Sequence, residues 1–393
     1  MVGLVIAAAM YFAVIGQAGW SALWVFGLVF GILLQRGRFC FASAFRDLFL
    51  FKDGRVMKAV LIGMAVATPG FALAMYNLSP AIVDGRYPAN ANILPLGWHT
   101  IVAGVMFGFG MVVAGGCLTG NLYRVGEGYV TSAVALMGVL IGALLLGWTW
   151  SFWWDVSISS APRIWFPLFA GWAGGIAITL AFIAIAYMLV VWWESRDKGS
   201  PRTYHEPAPA AANTFGQRVG GIFDGVFVRA WPVALAGIGL GLFNAFMYSF
   251  SHPMGVTGGL YDWMKSVATP IHVAPGELEG LSSIGGACTV GEVTPKFLGL
   301  TSPGLINLGV ILGAFIAASM AGEFKLRFAR QPKRYLQALL GGVLMGYAAS
   351  LALGCTFGAF FSAVPSLALN AWVFGIGLLA GAFFGVKVIK RIS

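Results

Sequence analysis

Residues 101–120 read IVAGVMFGFGMVVAGGCLTG, an apolar stretch that ends in a glycine pair and a cysteine. The surrounding run without Asp, Glu, Lys or Arg extends from Tyr87 to Tyr123. It exceeds the roughly 20 residues that an α-helix needs to cross a bilayer. Its glycines favour close helix packing in lipid and allow a helix to stop inside the membrane. The stretch therefore predicts a spanning helix that breaks near Cys117.

The rest of the chain has the same character. Of its 393 residues, 59% are hydrophobic and 10% are charged, whereas soluble domains carry about a quarter charged residues. The N-terminal stretch has no basic region ahead of its apolar residues, so we expect a retained helix rather than a signal peptide. The chain is thus predicted to be an all-α polytopic membrane protein. Spans are predicted at residues 2–15, 20–35, 56–76, 99–116, 128–149, 166–193, 231–250, 303–322, 336–354 and 368–389.

Basic residues are concentrated in the loops that we place on the cytoplasmic side. The net charge is +10, and 20 of the 24 Lys and Arg residues lie at Arg124 or in four clusters. This is the pattern of the positive-inside rule and not of a nucleic-acid-binding surface. It predicts a bacterial inner-membrane protein with both termini in the cytoplasm. The clusters lie at residues 36–58, 196–229, 325–334 and 387–391.

A linker-like segment divides the chain. Residues 194–229 are rich in proline, alanine and basic residues, unlike the apolar sequence on either side. This segment is predicted to be a cytoplasmic linker. It leaves residues 1–193 and 230–393 as two transmembrane halves of one membrane domain.

The two halves share a repeated motif. With a shift of 238 residues, 103–120 aligns with 341–358, and seven of 18 positions are identical, including a Gly-Cys-x-x-Gly motif. The predicted span that ends at Cys117 runs inward, and the one that ends at Cys355 runs outward. The halves are therefore predicted to be inverted repeats, an arrangement that places transporter sites at the repeat interface. We expect re-entrant loops and short half-helices that meet at the bilayer centre.

The cysteines are the candidate functional residues. They form no CxxC pair and have no histidine at ligand spacing, so we expect no metal and no cofactor. A thiol in an apolar surround stays protonated and offers a weak, soft donor without adding negative charge. Helix N-termini that follow the glycine turns add positive dipole ends. This combination favours a small sulfur-containing anion, and the residues predicted to bind it are Cys40, Cys117, Cys288, Cys355, Gly116 and Gly354.

Residues 35–47, QRGRFCFASAFRD, and 114–128, AGGCLTGNLYRVGEG, resemble two motifs of the YeeE/YedE family of sulfur-transport membrane proteins. A third resemblance covers 339–361, where the sequence is closer to the YedE branch, which is linked to selenium handling. The resemblance implies uptake of thiosulfate by S–H···S hydrogen bonds, and a separate cytoplasmic TusA-like sulfur carrier. The relay cysteines that it implies are Cys40, Cys117 and Cys355, with Cys288 outside the family's pattern.

Two alternatives to thiosulfate uptake stay open. One is a transporter of a selenium species or another sulfur species. The other is a membrane thiol enzyme that passes sulfur through persulfides, for which Cys40 is the candidate because Arg36 and Arg38 are close in sequence. We predict a transporter and not an enzyme. Charged residues near the motifs either anchor loops as ion pairs or form an exit vestibule for anions, and these are Arg46, Arg124 and Glu127.

Overall fold

The computed structural model describes residues 18–83, 85–88, 90–196, 230–284 and 301–392. Among these residues, eight helices are long and apolar enough to cross a membrane, and a bent helix pair adds a ninth. The predicted all-α polytopic membrane protein is therefore confirmed. Nine of the predicted spans coincide with helices. The predicted span at 2–15, Cys288 and nearly all of the linker lie outside the described residues.

Short helices follow several of the long ones, and Trp154–Ile158 forms a π-helical turn. The α-helices are α1 Ala18–Gly37, α2 Phe41–Leu50, α3 Arg55–Leu78, α4 Trp98–Ala114, α5 Leu118–Gly126, α6 Val130–Trp153, α7 Pro167–Ser195, α8 Val233–Phe250, α9 Thr257–Ala268, α10 Leu281–Ile284, α11 Ser302–Met320, α12 Lys333–Leu351 and α13 Leu369–Ile392. The π-helix Thr356–Ser362 lies between α12 and α13, bent by 47° from α12.

Four pairs of long helices form the body of the protein. Helix α1 packs against α11, α3 against α8, α4 against α13, and α6 against α12. In every pair one helix precedes the linker and its partner follows it. The two halves therefore interlock along their length. The set of pairs is unchanged when each helix is replaced by its counterpart in the other half, which agrees with the predicted repeat. The counterparts are α1 and α8, α3 and α11, α4 and α12, and α6 and α13. The inverted orientation of the two halves stays a prediction.

Glycines bring the backbones of these pairs into direct contact. A Cβ added at Gly108 would lie 2.4 Å from the carbonyl oxygen of Leu378, and one at Gly346 would lie 2.1 Å from that of Val139. Gly108 and Gly346 are counterparts under the shift of 238 residues. Because no side chain fits at either position, helix packing in this protein depends on backbone approach, as in other membrane bundles.

We expect Gly346→Ala to separate α12 from α6 and to lower the free energy of unfolding by about 1–3 kcal/mol, the usual effect of overpacking. The change in stability is measured by thermal unfolding in detergent, with size-exclusion chromatography as the readout. Gly239→Ala is the matched control, because its Cβ would meet only Leu33, at 3.9 Å. Equal unfolding midpoints for the two variants would contradict the close packing of α6 and α12.

Candidate substrate path

Three of the four cysteines lie directly before short helices. Cys40 precedes α2, Cys117 precedes α5 and Cys355 precedes the π-helix, each with an extended backbone. All three side chains are buried, with exposed fractions of 2%, 1% and 0%. Cys288 lies outside the described residues, so its place on the path stays a prediction. The structure thus brings three predicted site residues to helix N-termini in the interior.

Two of these thiols cap the helices that they precede. Sγ of Cys117 accepts a hydrogen bond from the N–H of Gly120 at 3.3 Å, and Sγ of Cys355 accepts one from the N–H of Gly358 at 3.5 Å. Sulfur is a weak acceptor, but here it lies at the positive end of a helix dipole. In this geometry the S–H of each cysteine can still donate to another partner.

Gly120 allows the first two thiols to meet. A Cβ added at Gly120 would lie 2.9 Å from Sγ of Cys40 and 3.2 Å from Sγ of Cys117. The side chains of these two cysteines are therefore neighbours. A side chain at Gly120 would therefore push the two sulfurs apart. The repeated Gly-Cys-x-x-Gly motif contained this residue, but the sequence did not show what it does.

Two threonines lie close to these thiols. Oγ1 of Thr119 lies 3.9 Å from Sγ of Cys355. Thr356 lies beside the thiol of Cys117. The hydroxyl of Thr356 has no hydrogen-bond partner among the described residues, so the thiols and the hydroxyls lie near one another without forming a continuous chain of hydrogen bonds. Neither threonine was predicted, because local sequence does not reveal that α5 and the π-helix face each other.

Phenylalanine rings enclose the series of thiols. Phe357 packs against Phe30 with ring centroids 4.8 Å apart, against Phe41 at 5.8 Å and against Phe361 at 4.7 Å. All four rings are buried. Phe41 directly follows Cys40 in sequence, so the cysteine motifs themselves supply part of this wall. These rings and the three thiols belong to one buried hydrophobic cluster.

Gly116 and Gly354 serve the turns that precede the cysteines. A Cβ added at Gly116 would lie 3.0 Å from Oδ1 of Asn121, and one at Gly354 would lie 2.8 Å from the backbone nitrogen of Ala359. The turn at Gly354 is therefore too tight for a side chain, and a side chain at Gly116 would crowd Asn121 and Arg124. The structure gives these two predicted site residues a conformational role, and direct contact with a substrate stays a prediction for them.

Arg124 and Asn121 satisfy the carbonyl groups that the broken helix α4 leaves free. Nη1 of Arg124 donates to the carbonyl of Gly115 at 2.5 Å, and Nδ2 of Asn121 donates to that of Gly116 at 3.1 Å. Gly115 has a φ angle of 77°, in the left-handed region that favours glycine. Arg124 therefore bonds to the turn that ends α4. Glu127, three residues further along the chain, accepts a hydrogen bond from a different helix.

Glu127 belongs to a polar network that joins the two halves. Its Oε1 accepts from Nε2 of Gln35 at 3.1 Å, and the same nitrogen lies 3.0 Å from Oε2 of Glu323. Glu323 also accepts from Nη2 of Arg36 at 2.7 Å and from Nη2 of Arg38 at 2.9 Å. Gln35 and Arg36 are buried. The network thus fixes the end of α1 against the loop that follows α11.

The two carboxylates of this network differ in their pKa. Burial raises the pKa of Glu127 and outweighs the hydrogen bond from Gln35. Burial also acts on Glu323, but the hydrogen bond from Gln35 and the charges of Arg36 and Arg38 hold its pKa below the ordinary value. Burial therefore disfavours the charged form of Glu127, whereas the charged form of Glu323 is stabilised by its partners.

Arg46 lines a cationic cavity beside the turn that ends α4. The cavity has a volume of about 580 Å³, and Gly115 forms part of its wall. Arg327 and Arg334, from the segment around the start of α12, line it as well, and no described carboxylate does. Arg46 itself donates to Asp47 at 2.8 Å. Arg327 and Arg334 were not predicted, since they lie far from the cysteine motifs in sequence.

Buried thiols at broken helices, next to a cationic cavity and inside a bundle of spanning helices, define a polytopic membrane transport protein. The sequence profile of the sulphur transport family matches residues 36–384, and the chain belongs to this family.

The chain is also similar to individual members of this class. It is 31% identical to "Thiosulfate transporter TsuA" of Spirochaeta thermophila over 388 residues, covering 95% of this chain and 99% of the relative. It is 28% identical to "Thiosulfate transporter TsuA" of Escherichia coli over 366 residues, covering 90% and 89% respectively. "Probable transporter YedE" of Salmonella typhimurium is 32% identical over 194 residues, 46% of each chain. The family and these relatives are transporters and not enzymes, as predicted.

The charge network makes stability depend on pH with opposite signs at its two carboxylates. Glu323, with a lowered pKa, stabilises the fold above the ordinary glutamate value of 4.5 and loses this contribution as the pH falls through its folded pKa. Glu127, with a raised pKa, stabilises the fold increasingly as the pH falls from its folded pKa toward 4.5.

We therefore expect Glu127→Gln to remove the gain in stability that Glu127 gives as the pH falls from neutral toward the ordinary glutamate value of 4.5. Glu323→Gln takes a carboxylate from the buried Arg36, and we expect it to cost about 1–3 kcal/mol at neutral pH. Thermal unfolding across this pH range measures both. A Glu323→Gln protein as stable as the wild type would show that the network does not hold the two halves together.

Proposed function

We propose that the protein takes up thiosulfate across the bacterial inner membrane by relay along its buried thiols. The observation that carries this proposal is the set of three buried thiols, Cys40, Cys117 and Cys355, each at the start of a short helix. Thr119 lies 3.9 Å from the last of them. Two relatives that match over most of their length are named thiosulfate transporters, which supports thiosulfate as the substrate.

Thiosulfate carries a soft terminal sulfur and hard oxygens, with its negative charge spread over both. Protonated thiols donate to the soft sulfur, and they add no charge that would repel the ion. The N-termini of α5 and the π-helix contribute positive partial charge at the same points. Each contact is weak, which lets the ion move from one thiol to the next. The anion therefore passes without being held at a deep site.

The cationic cavity is the exit vestibule in this proposal. It adjoins the turn before Cys117, and Arg46, Arg327 and Arg334 line it. Clustered arginines raise the local concentration of anions and speed their passage. Under the positive-inside rule, the basic clusters support a cytoplasmic position for the side of the membrane on which this cavity lies. On the same grounds we propose that both termini are cytoplasmic, and that a separate TusA-like sulfur carrier receives the product there.

Cys355→Ala removes a donor to the ion, worth about 1.5–3 kcal/mol, and Cys117→Ser replaces a soft thiol with a hard hydroxyl. Each is therefore expected to reduce thiosulfate uptake at least about tenfold. Flux of labelled thiosulfate into liposomes that contain the pure protein measures this. Ser132→Ala, at a buried position on α6, is the matched control. Normal uptake by both cysteine variants would end the relay proposal.

The same liposomes discriminate between the remaining candidates. Sulfite, selenite and sulfide are offered beside thiosulfate, and preferential entry of selenite would replace thiosulfate by a selenium species. Arg124 lies close to Cys40 and Cys117, which is the one feature that favours a reactive thiol. Mass spectrometry of the protein after turnover tests this: persulfide on Cys40, with thiosulfate consumed and not moved, would support the thiol enzyme instead.

Replacement of both Arg327 and Arg334 by glutamine is expected to slow uptake about tenfold at low ionic strength and less at high ionic strength, because salt screens exposed charges. Initial uptake rates at two salt concentrations measure this. Arg163→Gln is the control, since Arg163 lies over the ring of Tyr87, away from this cavity. A rate that does not depend on salt in either protein would remove the vestibule from the proposal.

A further inference from the structure

The short helix α9, Thr257–Ala268, differs from the other short helices in how it begins. Helix α2, α5 and the π-helix each begin directly after a cysteine. Helix α9 begins after Val256, and no side chain caps its N-terminus. The proposed thiol relay leaves this helix without a role.

The packing of α9 makes it the counterpart of α2. Helix α2 packs against α3, α4 and α13, and α9 packs against α11, α12 and α6. The partners of α9 are the counterparts, in the predicted repeat, of the partners of α2: α11 corresponds to α3, α12 to α4 and α6 to α13. The start of α2 places Cys40 beside Cys117. The start of α9 therefore corresponds to that position on the side of Cys355.

Unused hydroxyl groups are found at this helix start. The hydroxyl of Thr257, 3% exposed, has no hydrogen-bond partner among the described residues, and the same is true of Tyr261, 1% exposed. Thr257 and Tyr261 are four residues apart and therefore lie on the same face of α9. Nδ2 of Asn307 donates to the carbonyl of Val256 at 2.9 Å, which fixes the helix start against α11. Buried hydroxyls without partners cost free energy, which a ligand that accepts their hydrogen bonds would restore.

We propose that the start of α9 is a fourth contact point on the path, where the hydroxyl of Thr257 and the first backbone N–H groups of the helix bind oxygen atoms of the anion. This deepens the proposed uptake function and rests on it. Hydroxyl and amide N–H groups are hard donors that suit oxygen, whereas the thiols suit the terminal sulfur. Gly259 lets this helix start approach α11 closely, since a Cβ there would lie 2.4 Å from the carbonyl oxygen of Pro303. Tyr261 continues the same polar face along α9.

A hydroxyl site also sets which ions are favoured. Thiosulfate and sulfite present oxygen atoms to Thr257, and sulfide has none. The site therefore favours oxyanions of sulfur over sulfide, whereas the thiols alone would accept both kinds of ion.

Thr257→Val keeps the shape of the side chain and removes the hydroxyl. In liposomes we expect it to raise the KM for thiosulfate at least about tenfold, the usual scale for losing a donor to a charged ion, and to leave sulfide entry unchanged. Thr257→Ser should restore the wild-type KM. Thr179→Val is the matched control, since the buried hydroxyl of Thr179 already donates to Gly175 at 2.9 Å on α7.

Thermal unfolding separates ligand binding from a structural role and does not need transport. Without anion, Thr257→Val should unfold at a higher temperature than the wild type, because no hydroxyl is left without a partner; with thiosulfate, it should gain less stability than the wild type. A variant that is less stable without anion, or that gains as much from thiosulfate, overturns the site. If thiosulfate stabilises the wild-type protein but does not enter liposomes that contain it, the uptake proposal fails and the α9 site stands. If neither thiosulfate nor sulfite stabilises the wild-type protein, the α9 site fails as well.

Discussion

The hydrogen bonds of the interrupted backbone are the constraint on which the rest of this structure depends. Hydrocarbon offers no partner to a free N–H or C=O group, so a helix can stop inside a membrane only where protein groups satisfy its ends. Here Arg124 and Asn121 satisfy the carbonyls of Gly115 and Gly116. Beyond the turn, Sγ of Cys117 accepts the N–H of Gly120. The break that forms the candidate path is thus completed by the residues of one short motif.

The cysteines therefore act in the fold and in the chemistry at once. As an N-cap, Cys117 or Cys355 accepts a backbone hydrogen bond, and as a thiol it donates to whatever lies in front of it. Serine would cap a helix more strongly, since oxygen is the better acceptor. A thiol at these positions gives up some helix stability and provides a soft contact. The choice of sulfur over oxygen is consistent with a site that matches a soft ion.

Sequence predicted the long helices and the cysteine turns that follow two of them, but not the contacts that these turns make. The spans followed from charge-free runs, and the repeated Gly-Cys-x-x-Gly motif marked Cys117 and Cys355. Contacts between distant segments were out of reach. Thr119 beside Cys355 and Arg327 beside Arg46 depend on how α5, α12 and the π-helix pack. Glu127 was grouped with Arg124 by sequence spacing, yet it bonds to Gln35 on α1, because the tertiary network offered a buried amide.

The near-complete burial of the three thiols has a consequence for their reactivity. A sulfur enclosed by phenylalanine rings cannot be reached by a maleimide or a mercurial from either side while the rings stay in place. Alkylation then requires the rings to part, so the pace at which a small thiol reagent modifies Cys117 records how often the passage opens. Under the proposed function, the labelling rate then follows the same motion of the rings that admits the anion.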